Sequence, residues 1–198
     1  MAGQFFALFS RMKNINRWAL MRNTREESLS QHSLEVAATA HALALIGNRR
    51  LGKHYDAPRA ALIGMYHDMP EIITGDMPTP VKYYNRRIRD CYGEIERAAQ
   101  EALLDTLPED LREDYRPLLA PDETADLWKL VKAADKISAL IKCKEEKQSG
   151  NREFEKAEAA TLQALREMRC PEADIFVTEF LDSFDMVLDS VLTREETT

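Results

Sequence analysis

Residues 123–150, "ETADLWKLVKAADKISALIKCKEEKQSG", constrain this chain more than any other stretch. Apolar side chains fall at 127, 130, 131, 134, 137 and 141, with the small Ser138 on the same stripe. That spacing follows the period of an α-helix, and Gly150 ends it. One carboxylate, Asp135, interrupts the otherwise apolar face. The remainder reads the same way: long alternating β-branched runs are missing, and only 7 of 198 residues are glycine. No internal repeat or low-complexity tract breaks the pattern.

Further helices are expected on either side of this one. The first covers about residues 3 to 13, and the polar loop "NINRWALMRNTREESLS" follows it. Ser28 or Ser30 then caps a second helix, with Gln31 three residues after Ser28 as in a capping box. This helix is expected to reach about Ile46 and to stop at Gly47-Asn48. A third opens at Asp56, with Pro58 in its first turn, and runs to about Thr74 before Gly75. A loop, "GDMPTPV", precedes a long polar helix over about 82 to 107 and a short one over about 109 to 118. Two more, about 151 to 168 and 172 to 192, are split by Pro171. The expected architecture is all-α: one compact bundle of seven or eight helices, with residues 1–198 as a single domain.

Composition narrows the class. With 44% hydrophobic and 31% charged residues, the chain is globular rather than disordered. Its formal charge of -7 argues against coating a nucleic-acid polymer, yet leaves room for a small basic pocket holding one phosphate. The basic run from Lys82 to Arg89 reads as a solvated helix face, because nearby acids offset it. No apolar run approaches the roughly 18 residues of a membrane span, so no membrane partner is expected. "MAGQFFALFSRMK" reads as a mature first helix rather than a signal peptide. Cys91, Cys143 and Cys170 are odd in number and widely spaced, which points to a reducing cytoplasm.

Ionisable groups crowd into "MYHDMPEIITGDMPTP", residues 65–80. On a helix advancing about 100° per residue, Asp68 lies about 100° and Glu71 about 40° from His67, all within one arc. An imidazole and a carboxylate on adjoining positions can approach one divalent ion from two sides. His32, at the start of the second helix, and Asp135 are the remaining candidates. An inward Asp135 needs a cation or several donors, although for Asp135 taken alone a salt bridge to Lys132 or Lys136 is the simpler reading. Mixed nitrogen and oxygen ligands suit Mn, Fe, Co, Ni or Zn. His41 falls about 900° from His32, on the opposite side, and is expected to pack in the core with Leu34, Ala37, Ala38 and Leu45. His54, in "GKHYDAP", is expected to be exposed.

The order His32, His67-Asp68, Asp135 resembles the H…HD…D pattern of the HD-domain phosphohydrolases. The stretches "SRMKNINRWALMRN", "SQHSLEVA", "MYHDMPEIITGDMPTPVKYYN" and "LVKAADKISALIKCKEE" are similar to the bacterial 5′-deoxynucleotidase branch, over nearly the whole chain. The "NRW" element and the "TGDMPTPVKY" loop are the specific ones.

That resemblance implies an all-α homodimer that hydrolyses deoxyribonucleoside 5′-monophosphates with one divalent metal cation, such as Co2+ or Mn2+. It implies His32, His67, Asp68 and Asp135 as ligands and Glu71 as catalytic acid/base. Arg17 is expected to orient the phosphate, Trp18 to wall the sugar, and Asp76, Met77, Pro78 and Thr79 to line the nucleotide site. Outside such a family, Arg17 and Trp18 read as a surface arginine and a core-anchoring tryptophan. Met69-Pro70 departs from the family pattern. Pro70 cannot donate to the carbonyl of Tyr66 and disfavours an α conformation at Met69, which predicts a kink just before Glu71.

Two other functions fit the same residues. One is an HD phosphohydrolase acting on a nucleoside triphosphate or an alarmone, which calls for a larger cluster of Lys and Arg. The other is a metal-stabilised helical module without catalysis, for which an acid and a phosphate clamp beside the ion have no use.

Overall fold

The computed structural model describes residues 3–82 and 84–186. Among them are ten α-helical segments and three short 3-10 turns, with no strand beyond an isolated bridge between Asn16 and Ser28. The helices are α1 (Phe5–Phe9), α2 (Leu29–Arg50), α3 (Ala57–Tyr66), α4 (Glu71–Thr74), α5 (Thr79–Lys82), α6 (Arg86–Leu104), α7 (Glu109–Leu119), α8 (Asp126–Gln148), α9 (Glu155–Glu167) and α10 (Pro171–Phe180). The all-α class is as expected. The larger number of segments comes from breaks that the sequence reading ran through. Its last helix was expected to extend to about 192, and residues 187–192 lie outside the described ones.

α8 buries the stripe read from its period: Leu130, Val131, Ala134, Ile137 and Ile141 are at most 4% exposed. Against them pack Val36, Ala40, Leu43 and Ala44 of α2, Ala60 and Ile63 of α3, and Ala173 and Phe176 of α10. Each fully buried Leu or Ile is worth about 1.5–3 kcal/mol of transfer free energy. A second cluster gathers Phe5, Met12, Leu29, Tyr66, Met69, Leu103 and Leu107, and Leu118 of α7 packs against both.

α2 begins as predicted. Ser28 accepts from the backbone N–H of Gln31, whose side chain returns to the Ser28 N–H at 2.9 Å. It does not stop at Gly47, however, but continues to Arg50. Gly47 is there for close packing: a Cβ would lie 2.6 Å from the Tyr55 ring. The expectation for His41 is also corrected. Leu34 and Leu45 are 66% and 41% exposed, Ala38 is exposed, and His41 is only half-buried. The wheel correctly set His41 apart from His32, but the inward face is the one carrying His32. His54 is exposed as expected.

The third helix breaks where Pro70 predicted a kink. α3 ends at Tyr66, and the chain resumes helical form only at Glu71. Pro70 has no N–H for the Tyr66 carbonyl, so the Met69 N–H takes it at 3.0 Å. The tighter i→i−3 pattern then repeats from Glu71 to Asp68 and from Ile72 to Met69, each at 3.0 Å. Gly64 lets α3 press onto α2, since a Cβ there would come 3.0 Å from Ala37 Cα.

Along α6, Arg86 and Arg89 approach Asp90, and Lys82 bonds Glu96 at 2.8 Å, consistent with a charge-balanced, solvated face. Among the described residues no helix is long and apolar enough to cross a membrane. The three cysteines are free, Cys91 exposed and the other two buried.

Candidate functional site

His32, His67, Asp68 and Asp135 come together from the start of α2, the turn after α3 and the middle of α8. One ligand atom from each lies within 4.8 Å of the others. His32 Nε2 is 3.4 Å from Asp68 Oδ2 and 3.3 Å from Asp135 Oδ1, and His67 Nε2 is 3.0 Å from Asp68 Oδ2. Both histidine side chains are fully buried, and each Nε2 lacks a hydrogen-bond partner. Orphaned nitrogens converging on two carboxylates are what a bound cation would satisfy. The His67 tautomer is set by the Gly64 carbonyl, 2.7 Å from Nδ1: a carbonyl only accepts, so the proton sits on Nδ1 and the Nε2 lone pair faces the cluster.

Asp135 makes the lysine pairs read from the sequence while its other oxygen faces the cluster. Its Oδ2 pairs with Lys136 at 3.1 Å and Lys132 at 3.7 Å, while Oδ1 turns to His32 and lies 3.9 Å from Arg17 Nη2. Burial opposes the charge on Asp135, but Lys132, Lys136 and His32 outweigh it and hold the carboxyl well below its usual range. Asp68 is likewise buried and likewise held low, by His67 and His32.

Glu71 goes the other way. Burial, reinforced by repulsion from Asp68 and Asp76, pushes its carboxyl up to about 10, and Oε2 is buried without a partner. The arrangement therefore keeps one carboxylic acid protonated beside two ionised ones, a pattern that separates acid from ligand roles. A cation in the cluster would lower this value.

Arg17 and Trp18 arrive on the loop before α2. The Arg17 N–H bonds the Glu27 carbonyl at 2.9 Å, and its guanidinium reaches both Glu27 Oε2, at 3.1 Å, and the edge of His32. Trp18 has φ 60°, a left-handed conformation that a tryptophan seldom adopts. It is held there by its indole N–H on Glu27 Oε2, 2.8 Å, and by the buried Phe154 ring, 5.3 Å between centroids. Burial pushes the Asp76 carboxyl up, against the nearby Arg17 guanidinium and Trp18 backbone, which favour its charge. The loop behind them is pinned by Glu146, which takes Thr24 N and Oγ1 and Asn151 Nδ2 between 2.8 and 2.9 Å and pairs with buried Lys142.

Beside the cluster opens a cavity of about 540 Å³. Arg17, Trp18, Asp76, Met77, Pro78 and Thr79 line it, so every residue expected at the nucleotide site faces one space. α9 also lines it, through Ala157, Ala160 and Thr161, which the sequence does not assign to a site. The small residues of α9, Ala157, Ala159, Ala160, Thr161 and Ala164, were the available signal. Glu27 gave no such signal, because its role depends wholly on which loop residues fold back over it.

With this geometry in hand, comparison with known proteins is direct. A family model described as 5′-deoxynucleotidase YfbR-like matches residues 4–184. A 5′-deoxynucleotidase of Vibrio vulnificus is 48% identical over 188 residues, covering 94% of this chain and 97% of its own. One of Pectobacterium atrosepticum is also 48% identical, covering 94% of each. Among solved structures, an HD-domain phosphohydrolase of Listeria innocua superposes with a TM-score of 0.80 at 25% identity, over 91% of this chain and 88% of that one. A cyanophage S-2L HD phosphohydrolase, solved with dA and one catalytic Zn2+, shares the fold at TM-score 0.65 and 15% identity, over 93% and 99%.

Proposed function

Because the chain belongs to the YfbR-like 5′-deoxynucleotidase family of HD-domain phosphohydrolases, we propose that it is a metal-dependent phosphomonoesterase releasing phosphate from deoxyribonucleoside 5′-monophosphates. The observation that carries the reading is the buried cluster of four ligand atoms, two of them unpaired imidazole nitrogens, beside the buried, unpartnered Glu71 carboxyl and a guanidinium.

His32, His67, Asp68 and Asp135 would hold one divalent cation, with cobalt, manganese or zinc suited to the mixed donors. Such an ion polarises a phosphoryl oxygen and makes water a nucleophile near neutral pH. Arg17 offers a planar fork that takes two phosphate oxygens and orients the ester. Glu71, whose carboxyl burial displaces upward before any cation binds, is the group placed to give a proton to the departing 5′-oxygen, which otherwise leaves as an alkoxide. Trp18 forms the wall against the sugar, and Asp76 faces the same space. A 2′-hydroxyl would press on Trp18 or leave Asp76 badly paired, a mismatch worth about 1–3 kcal/mol, or roughly tenfold to a hundredfold. A single-domain homodimer in the cytoplasm belongs to the same proposal, by family resemblance.

The test is phosphate release from dAMP, AMP and dATP after chelation and reloading with Mn2+, Co2+ or Zn2+. The proposal expects dAMP to be favoured over AMP by about tenfold to a hundredfold and dATP to be poor. Preference for dATP contradicts it. So does metal-raised thermal stability without turnover of any monophosphate, the behaviour of a non-catalytic module.

A further inference from the structure

His32 Nδ1 has two neighbours that require opposite things of it. Ser138 Oγ lies 3.0 Å away and Arg17 Nη1 2.6 Å away. Ser138 directs its one proton to Glu35 Oε2, at 2.9 Å, so toward the ring it can only accept. It therefore matches a His32 protonated on Nδ1. A guanidinium only donates, so Arg17 matches the other tautomer, with Nδ1 bare and the proton on Nε2. The choice decides the site, because Nε2 is the atom facing Asp68 and Asp135, and a proton there closes it to a cation.

We propose that Ser138, oriented by Glu35, is a positioning residue that keeps the His32 proton on Nδ1 and leaves Nε2 open to the metal, against the pull of Arg17. The inference rests on the reading of His32 as a ligand. Its geometry is helical. Ser138 follows Asp135 by three residues on α8, and Glu35 follows His32 by three on α2, so each pair shares a face. The helix that carries one ligand thereby orients another. His67 has no such choice, since its Nδ1 meets a backbone carbonyl that no substitution removes. Arg17 leaves the conflict when it takes up phosphate, so its pull on His32 is strongest without substrate.

The experiment measures cation affinity by chelator competition with Co2+ or Zn2+, without nucleotide, together with ring 15N NMR of the chelated protein. Four histidines in the chain make the His32 pattern assignable. Ser138→Ala and Glu35→Leu are each expected to bind the cation about ten- to a hundredfold more weakly. In chelated Ser138→Ala the His32 proton should sit on Nε2. Glu35→Gln, whose amide oxygen still accepts from Ser138, should stay within about threefold of the unaltered protein. Adding Arg17→Ala to Ser138→Ala should restore much of the affinity, since the competing donor is gone. Glu35 is exposed, so its variants test the relay even where a change at fully buried Ser138 disturbs folding. Undiminished affinity in Glu35→Leu, or a Nδ1 proton retained in Ser138→Ala, overturns the proposal. If the unaltered chain takes no cation, the ligand reading fails and this inference with it.

Discussion

The indole N–H of Trp18 ends on Glu27 Oε2, 2.8 Å away, and the same oxygen receives Arg17 Nη1 at 3.1 Å. One carboxylate thus anchors both the proposed sugar wall and the proposed phosphate clamp. Glu27→Ala removes a charge-assisted bond from each, interactions worth about 1.5–3 kcal/mol. We expect kcat/KM for dAMP to fall by about tenfold to a hundredfold. The preference for dAMP over AMP should shrink as well, because a loosened Trp18 no longer crowds a 2′-hydroxyl. Steady-state kinetics on both nucleotides checks this; a slower enzyme with its selectivity intact would contradict it.

Pro70 sits at φ −55° and ψ −23°, which alanine adopts without strain. The turn around it is already held by the bonds from Met69, Glu71 and Ile72. Pro70→Ala should therefore lower stability by about 0.4–1 kcal/mol, through a freer unfolded chain, and leave kcat/KM nearly unchanged. Urea denaturation and dAMP hydrolysis read the two effects separately. A large loss of activity would mean that the ring itself aims Glu71.

Glu71 has its carboxyl pushed up to about 10, against about 4.3 in an unfolded chain. The folded state prefers the protonated form. Its contribution to stability is complete below about pH 4.3 and is lost as pH rises through about 10. Glu71→Gln is neutral at every pH, so the chelated variant should melt higher than the chelated parent above about pH 5, by a margin that grows toward alkaline pH. The same variant should hydrolyse dAMP poorly. Thermal melts across this range test the sign, and a margin that narrows with pH would contradict it.

Burial works against ionisation of Glu146, yet Lys142, Thr24 and Asn151 outweigh it and hold the carboxyl down at about 2. A depressed carboxylate stabilises the fold above its unfolded value of about 4.3, and that stability is lost as pH falls toward about 2. Glu146→Gln leaves Lys142 buried beside a neutral amide and should cost about 3–5 kcal/mol at neutral pH. It should also flatten the acid limb of the stability curve between these values. Chemical denaturation at several pH values measures both.

What the sequence disclosed and what it hid divide along physical lines. The α8 stripe, the Ser28–Gln31 capping box and the break before Glu71 are local: period, side-chain reach and a missing N–H determine them. Gly47 misled because the same residue type ends helices and lets them touch, and only the Tyr55 ring tells which. The His32 face of α2 was separable from the His41 face, but no wheel says which turns inward when both carry alanines and leucines. Glu27, Glu35 and Ser138 take their places only through tertiary contacts, and no spacing marks them.

The central claim is that Asp135, presented by α8, completes a cation site with His32, His67 and Asp68. Metal stoichiometry and dAMP hydrolysis of purified Asp135→Ala, measured on one preparation, test it most directly. The account predicts loss of the bound ion and a fall in phosphate release of about a thousandfold or more, with α-helical content retained. Metal content and turnover equal to those of the unaltered protein would contradict it.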